Sequence, residues 1–278
     1  HLRKGLKWSD GEEVTADELI AALRKGALTL KCVPVLYGSS FKNKGVHPLL
    51  DAIIDYLPSP IEVPPVKGLH PRTQKEESRH PSDEEPFSAL VFKIMNDTYM
   101  GTLAFFRVYS GRMKAGAMVY NASNEEEERI ARLLEIHSNK RKDVKEVFTG
   151  DIAAMPSTKN ISTGDTLCVK NHPVILENIT FPEPVVSSVV EPKSRSEHIK
   201  LSEVLKKLEK EDPTFKVKTD PATGQTLIQG MGELHLEVYI ERMRREYKVD
   251  LETGAPQVAY RESISQTADY DYTHKKQT

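Results

Sequence analysis

The sequence predicts a multidomain chain with three folds in series, an α/β segment, an all-β barrel and an α+β domain, because its hydrophobic periodicity changes type twice. Helical stripes govern the first part up to about residue 57, short strands spaced by roughly ten residues govern residues 87–169, and strands alternate with helices from residue 181 onward. At 278 residues the chain suits two or three domains, so more than one hydrophobic core is expected.

In the first part, Thr15-Ala16-Asp17-Glu18 has the spacing of a capping box, in which the Thr hydroxyl and the Glu carboxylate satisfy free backbone donors at a helix start. The apolar run at residues 32–37, ending at Gly38, reads as a buried strand whose first part is left unpaired by Pro34. Val46, Leu49, Leu50, Ile53, Ile54 and Leu57 then fall on one helical stripe, closed by Pro58-Ser59-Pro60. Between residues 58 and 86 prolines and charges dominate and large apolar residues are nearly missing, which predicts a linker without a core.

The all-β part rests on residues 88–94, 103–109, 117–120, 129–136 and 151–155, each reading as a strand, with turn residues such as Asn96-Asp97, Gly101, Gly111, Gly116 and Gly150 between them. A small closed barrel is the simplest solution. In the α+β part, strands are read at residues 185–190, 215–219, 225–229 and 249–251. Leu201, Val204, Leu205 and Leu208 mark one helix, and Leu236, Tyr239, Ile240, Met243 and Tyr247 a second. The order βαββαβ is ferredoxin-like. The boundaries that follow are 1–60 for the α/β segment, 61–85 for the linker, 86–180 for the barrel, 181–262 for the ferredoxin-like domain, and 263–278 for the start of a further one.

Charged residues make up 29% of the chain and nearly cancel to a net charge of −2, so any nucleic-acid contact has to be local. The two cysteines, Cys32 and Cys168, lie far apart and suggest neither a disulfide framework nor a metal site, as in a reducing, cytoplasmic protein. No apolar run of about 18 residues exists to cross a bilayer. Both ends read as cut.

Chemistry-bearing features are few. The stretch Gly38-Ser39-Ser40-Phe41-Lys42-Asn43-Lys44-Gly45 lies between an expected strand and an amphipathic helix, where open α/β sheets place ligand loops. A ligand loop and a plain connection both fit that position. No G-x-x-x-x-G-K-[ST] occurs, so the phosphate-binding loop of a nucleotide hydrolase is missing and the chain alone is expected to be inactive. Gly230 and Gly232 precede the second helix of the α+β part, where free N–H groups suit an anion or merely a turn. His235 reads as structural rather than as a metal ligand. The basic run at residues 138–142, with Lys140, Arg141 and Lys142, reads as a loop suited to phosphate contact, and Arg244 and Arg245 lie among acidic neighbours on a helix.

Several of these stretches also match a known family in order along the chain. Residues 34–46 followed by 49–60 resemble the end of the GTP-binding domain of elongation factor G. Gly150-Asp151-Ile152-Ala153-Ala154 and residues 163–168 resemble its domain II. Glu211-Asp212-Pro213-Thr214-Phe215, residues 230–237 and residues 257–262 resemble its domain III, and residues 272–278 the opening of its domain IV. The resemblance implies a P-loop GTPase part, a translation-factor β-barrel and a ferredoxin-like domain. It further implies a ribosome-stimulated GTPase that moves tRNA and mRNA by one codon. Ser39 and Ser40 would contact guanine, Ser40 standing where the family has Ala. GTP with Mg2+ would be bound by the intact protein and not by this chain.

The partners implied are the ribosome, through small-subunit RNA and proteins and the large-subunit factor-binding site, and tRNA and mRNA at the decoding site, approached by His274, Lys275, Lys276 and Gln277. No membrane is involved and the protein is expected to be a monomer. A ribosome-recycling or ribosome-protection relative shares the same middle domains. A non-enzymatic RNA-binding module is the alternative from another class, weakened because the strands 215–229 offer only Phe215 for base stacking.

Overall fold

The computed structural model describes residues 7, 9, 11–97, 99–138, 140–156, 160–176, 179–257, 262–263, 265–267 and 269–275. The chain divides into two compact units, one comprising residues 1–90, 106–155 and 165–177 and the other residues 91–105, 156–164 and 178–278.

Helix α1 (Ala16–Leu28) starts at the expected capping box: Glu18 N–H donates to Thr15 Oγ1, and Thr15 N–H returns a bond to Glu18 Oε2. Helix α2 (Val46–Tyr56) forms where the apolar stripe places it. Arg24 of α1 secures its end, donating to the last-turn carbonyls of Ile54 (3.2 Å) and Asp55 (2.6 Å), groups that have no partner within a helix. The stripe itself is not buried. Leu49, Leu50, Ile53, Ile54 and Leu57 are all exposed, Ile54 at 76%, and Ala52 is the one buried residue of α2. Residues 32–37, read as a buried strand, carry no strand pairing, and Val33, Val35 and Tyr37 are exposed. A strand needs a hydrogen-bonded neighbour, and among the described residues this run has none.

The stretch read as a linker is structured. A 3-10 turn (Pro60–Glu62) leads into β1 (Val66–Leu69) and β2 (Glu76–Arg79), an antiparallel hairpin. Its prolines flank the strands instead of interrupting them. Leu69 and Ile175 exchange backbone bonds of 2.8 Å, tying the hairpin to residues 174–176. Backbone pairing and the buried Arg79 thus replace the apolar core that the composition lacks.

The all-β region comprises β3 (Ser88–Asp97), β4 (Gly101–Ser110), β5 (Met113–Lys114), β6 (Met118–Asn121), β7 (Glu126–Arg129), β8 (Leu133–His137), β9 (Lys140–Val144), β10 (Glu146–Val147), β11 (Ile152–Pro156) and β12 (Thr166–Cys168). Eight of them form one sheet in the order β7-β6-β12-β3-β4-β11-β8-β9, and β5 pairs with β10. Strands β7 and β9 end the eight-stranded sheet and are not paired to each other among the described residues, while β5, which leads into β6, pairs with β10, which follows β9. One assignment shifts. Glu126, Glu127, Glu128 and Arg129 form strand β7 against β6, so the single strand expected at residues 129–136 is split between β7 and β8. Ala89, Val91, Ile94, Leu103, Phe106, Leu133, Leu134 and Leu167 are buried. Within that core the Ser88 and Ser110 hydroxyls lie 2.7 Å apart and Ser110 donates to the Pro86 carbonyl, so neither buried oxygen is left unbonded.

The last region follows its expected order: β13 (Val186–Pro192), α3 (Arg195–Glu211), β14 (Lys216–Thr219), β15 (Thr226–Gly230), α4 (Glu233–Arg245) and β16 (Leu251–Gly254). The strands pair antiparallel in the order β14-β15-β13-β16, the ferredoxin-like arrangement. Val190, Ile228 and Leu251 from the sheet pack with Leu201, Val204, Leu205 and Leu208 from α3 and Leu236, Tyr239 and Met243 from α4.

Candidate functional site

The loop before α2 is shaped by backbone contacts. Ser39 N–H donates to the Lys44 carbonyl and Lys44 N–H to the Ser39 carbonyl, both at 2.9 Å, so the loop closes on itself. Asn43 N–H donates to the Ser40 carbonyl at 3.0 Å. A Cβ at Gly38 would stand 2.7 Å from the Lys44 oxygen, and Gly45 holds φ +80°, so both glycines are required for this turn. Leu36, Tyr37, Ser39, Ser40, Val46 and Leu49 line a shallow cleft of about 230 Å³ over it. The two serines differ. Ser39 is half-buried with its N–H committed to Lys44, whereas Ser40 is exposed and its own N–H and hydroxyl make no bond among the described residues. The Ser39 hydroxyl oxygen accepts from Lys42 N–H at 3.4 Å, so the loop offers the open Ser40 pair and the Ser39 hydroxyl proton to a ligand edge, a partial fit to a base.

Beside α2, Arg24 grips Glu62 through both oxygens (2.6 and 2.8 Å), and Glu62 also accepts from Ser59 N–H at 2.8 Å. The Ser59 backbone bond, then the Arg24 guanidinium, hold the Glu62 carboxyl down at about 2.

The basic candidates are scattered. Lys140, Arg141 and Lys142 lie on edge strand β9 and not in a loop; all three are exposed, and Lys142 pairs with Glu135 at 3.4 Å. The pairing register Leu133↔Val144 to His137↔Lys140 explains this: strand pairing takes in Lys140, Arg141 and Lys142 themselves. On α4, Arg244 donates to the Leu251 carbonyl at 3.3 Å and Arg245 pairs with Glu241. Near the end of the described chain, His274 Nδ1 lies 3.3 Å from the Tyr272 hydroxyl and Lys275 is exposed. Lys276 and Gln277 lie outside the described residues. Among the described residues no group of His, Cys, Asp or Glu is arranged to hold a metal, and no helix is long and apolar enough to cross a membrane.

The densest polar arrangement centres on Asp212, which residue types alone did not single out. Its Oδ1 accepts from Thr214 N–H and hydroxyl (2.8 and 2.7 Å); its Oδ2 accepts from the Tyr239 hydroxyl and lies 2.9 Å from His235 Nε2. His235 Nδ1 accepts from Met231 N–H at 3.1 Å, which leaves the proton on Nε2 and makes that nitrogen the donor to Asp212. Burial pushes the Asp212 carboxyl up, but the bonds from Thr214, Tyr239 and His235 outweigh it and the net is below the ordinary value; burial and the Asp212 charge push the Tyr239 phenol up. Tyr239 stacks on Phe215 at 4.5 Å, and Arg242, paired with Glu211 and Glu246, lies over its ring. This network pins the turn before α4 to the end of α3. It also consumes one of the N–H groups that an anion at Gly230–Gly232 would need. The only sequence signal for it was the spacing of Asp212-Pro213 against the helical positions 235 and 239.

Two family models match the chain, one described as Elongation factor G domain 2 over residues 86–170 and one as Elongation Factor G, domain III, over residues 181–255. Among solved structures, the chain is similar to the crystal structure of ttk003000868 from Thermus thermophilus, with a TM-score of 0.70 and 30% sequence identity. That similarity covers 90% of this chain and 35% of the other, so the chain spans about a third of the protein it matches.

Proposed function

The chain belongs to the elongation factor G family, and from that premise we propose that its parent is a translational GTPase that promotes movement of tRNA and mRNA through the ribosome. The observation that carries this reading is the succession of two different domain matches in family order, residues 86–170 and then 181–255, within a chain that aligns over 90% of its length to one much longer protein.

The loop at residues 38–45 is the guanine-facing end of the nucleotide site in this reading. Ser40 presents its open N–H and hydroxyl to the base edge, and Ser39 contributes its hydroxyl. GTP supplies the phosphoanhydride whose hydrolysis is coupled to movement. Phosphates and Mg2+ fall to residues that this chain does not provide, because no phosphate-binding sequence occurs in it. The bare apolar face of α2 supports the same reading: the remainder of a GTP-binding domain would cover Leu49, Leu50, Ile53 and Ile54 and complete a core. Lys140, Arg141, Lys142 and, near the end of the described chain, His274 and Lys275 are the proposed ribosomal RNA contacts, together with Arg244 and Arg245 on α4.

The base assignment is tested by placing Ser39→Trp with Ser40→Trp in a chain that carries the full GTP-binding domain. A rise in KM for GTP of at least tenfold in ribosome-stimulated turnover is expected. Unchanged KM would remove Ser39 and Ser40 from the base site.

A further inference from the structure

Arg24 reaches two further elements from α1 with one guanidinium. Its Nη1 donates to the Ile54 and Asp55 carbonyls in the last turn of α2 (3.2 and 2.6 Å), and its Nη2 donates to both carboxylate oxygens of Glu62 in the 3-10 turn (2.6 and 2.8 Å). The same carboxylate accepts from Ser59 N–H at 2.8 Å, and Glu62 N–H donates to the Ser59 carbonyl at 3.0 Å, so the turn that Arg24 holds is itself closed. The two side chains are 32% and 35% exposed. A lone ion pair at such exposure contributes little. What sets this one apart is geometry: a planar fork satisfies four acceptors drawn from two elements, which a lysine ammonium does not reproduce.

The turn that Arg24 holds is seated on the all-β region. A Cβ at Gly150, which holds φ +91°, would stand 2.7 Å from Pro60 Cγ, so the Pro60 ring packs on the bare Cα of Gly150. Gly150 N–H donates to the Val108 carbonyl and Val108 N–H to the Asp151 carbonyl, both at 2.9 Å, which places that contact where β4 meets the approach to β11. At its other end α2, 11 residues or about 16 Å long, starts at Gly45, the last residue of the loop 38–45. The loop, α2, Arg24, Glu62, Pro60 and Gly150 therefore form one unbroken series of contacts inside the first unit.

We propose that Arg24 is a positioning residue for ribosome-stimulated GTP turnover: its guanidinium passes a displacement of the all-β region through α2 to the guanine-facing loop, without touching nucleotide. This inference rests on the reading of residues 38–45 as part of the GTP site. A clasp that only added stability would lower all activities together, whereas a transmitting one is felt only when the ribosome acts on the protein.

Two measurements keep this role apart from that reading. In the present chain, with Cys32→Ser and the buried Cys168 left in place, nitroxide labels on Asp51→Cys in α2 and Lys145→Cys after β9, both exposed positions, report their separation by double electron–electron resonance. One narrow distance is expected. Arg24→Ala, Glu62→Ala and the double variant are each expected to widen it about twofold and to the same extent, because the two side chains act through one contact. In a chain extended to a complete GTP-binding domain, Arg24→Ala is expected to leave the KM for GTP and ribosome-free hydrolysis within about twofold and to lower ribosome-stimulated kcat about fivefold or more, and Arg24→Lys is expected not to restore it. Circular dichroism verifies the fold of each variant. An unchanged width in Arg24→Ala, or widths that add in the double variant, overturns the clasp. An unchanged stimulated kcat, or a loss matched in ribosome-free hydrolysis, overturns the positioning role. If the extended parent hydrolyses no GTP, the proposed function falls and the positioning role with it, while the label distances still decide the clasp.

Discussion

Glu62 concentrates the local electrostatics of the first unit in one exposed carboxylate. Its carboxyl, ordinarily near 4.5, is held at about 2 by Ser59 N–H and the Arg24 fork. A depressed folded value stabilises the folded state above the unfolded pKa, and that contribution is lost as pH falls from about 4.5 through about 2. In a carbon-detected NMR titration, Arg24→Ala is expected to raise the Glu62 midpoint while leaving other carboxylates in place. An unchanged midpoint would mean that Ser59 alone holds the shift. Asp212 obeys the same sign but reaches it differently, since four donors must overcome its burial. Neither arrangement is written in residue type alone. Glu62 gains its guanidinium partner only when the fold brings Arg24, 38 residues earlier, beside it.

At the scale of elements, the sequence was most informative where a stripe could be completed inside the chain. Leu201, Val204, Leu205 and Leu208 predicted α3 and its burial together, because the sheet they need is also present. The stripe of α2 has the same periodicity and forms the same kind of helix, yet stays bare, because periodicity encodes a face and not its partner. The same reason undid the strand expected at residues 32–37. The hairpin β1–β2 and strand β9 were illegible for the opposite reason: their stability comes from backbone pairing of polar residues, which leaves no hydrophobic alternation to read. The loop at residues 38–45 was legible in position, while the loss of the Ser39 N–H to Lys44 was not, since it depends on how the turn closes. Leu50→Gln with Ile54→Gln is expected to change the unfolding free energy of this chain by no more than about 0.5 kcal/mol each, as for surface sites. Urea unfolding that shows a loss several times larger would mean that the face is covered within this chain.

For the whole molecule, two family domains lie in order, at residues 86–170 and 181–255, with the loop proposed to face guanine ahead of them. Charge gives little pull of its own, at a net −2, so the proposed association with RNA would have to rest on local strips such as β9. The central claim is tested most directly by ribosome-stimulated GTP hydrolysis, comparing this chain with one extended to a complete GTP-binding domain. The account expects turnover by the extended protein only, rising with ribosome concentration, and none by this chain. An extended protein that binds ribosomes but hydrolyses no GTP would contradict it.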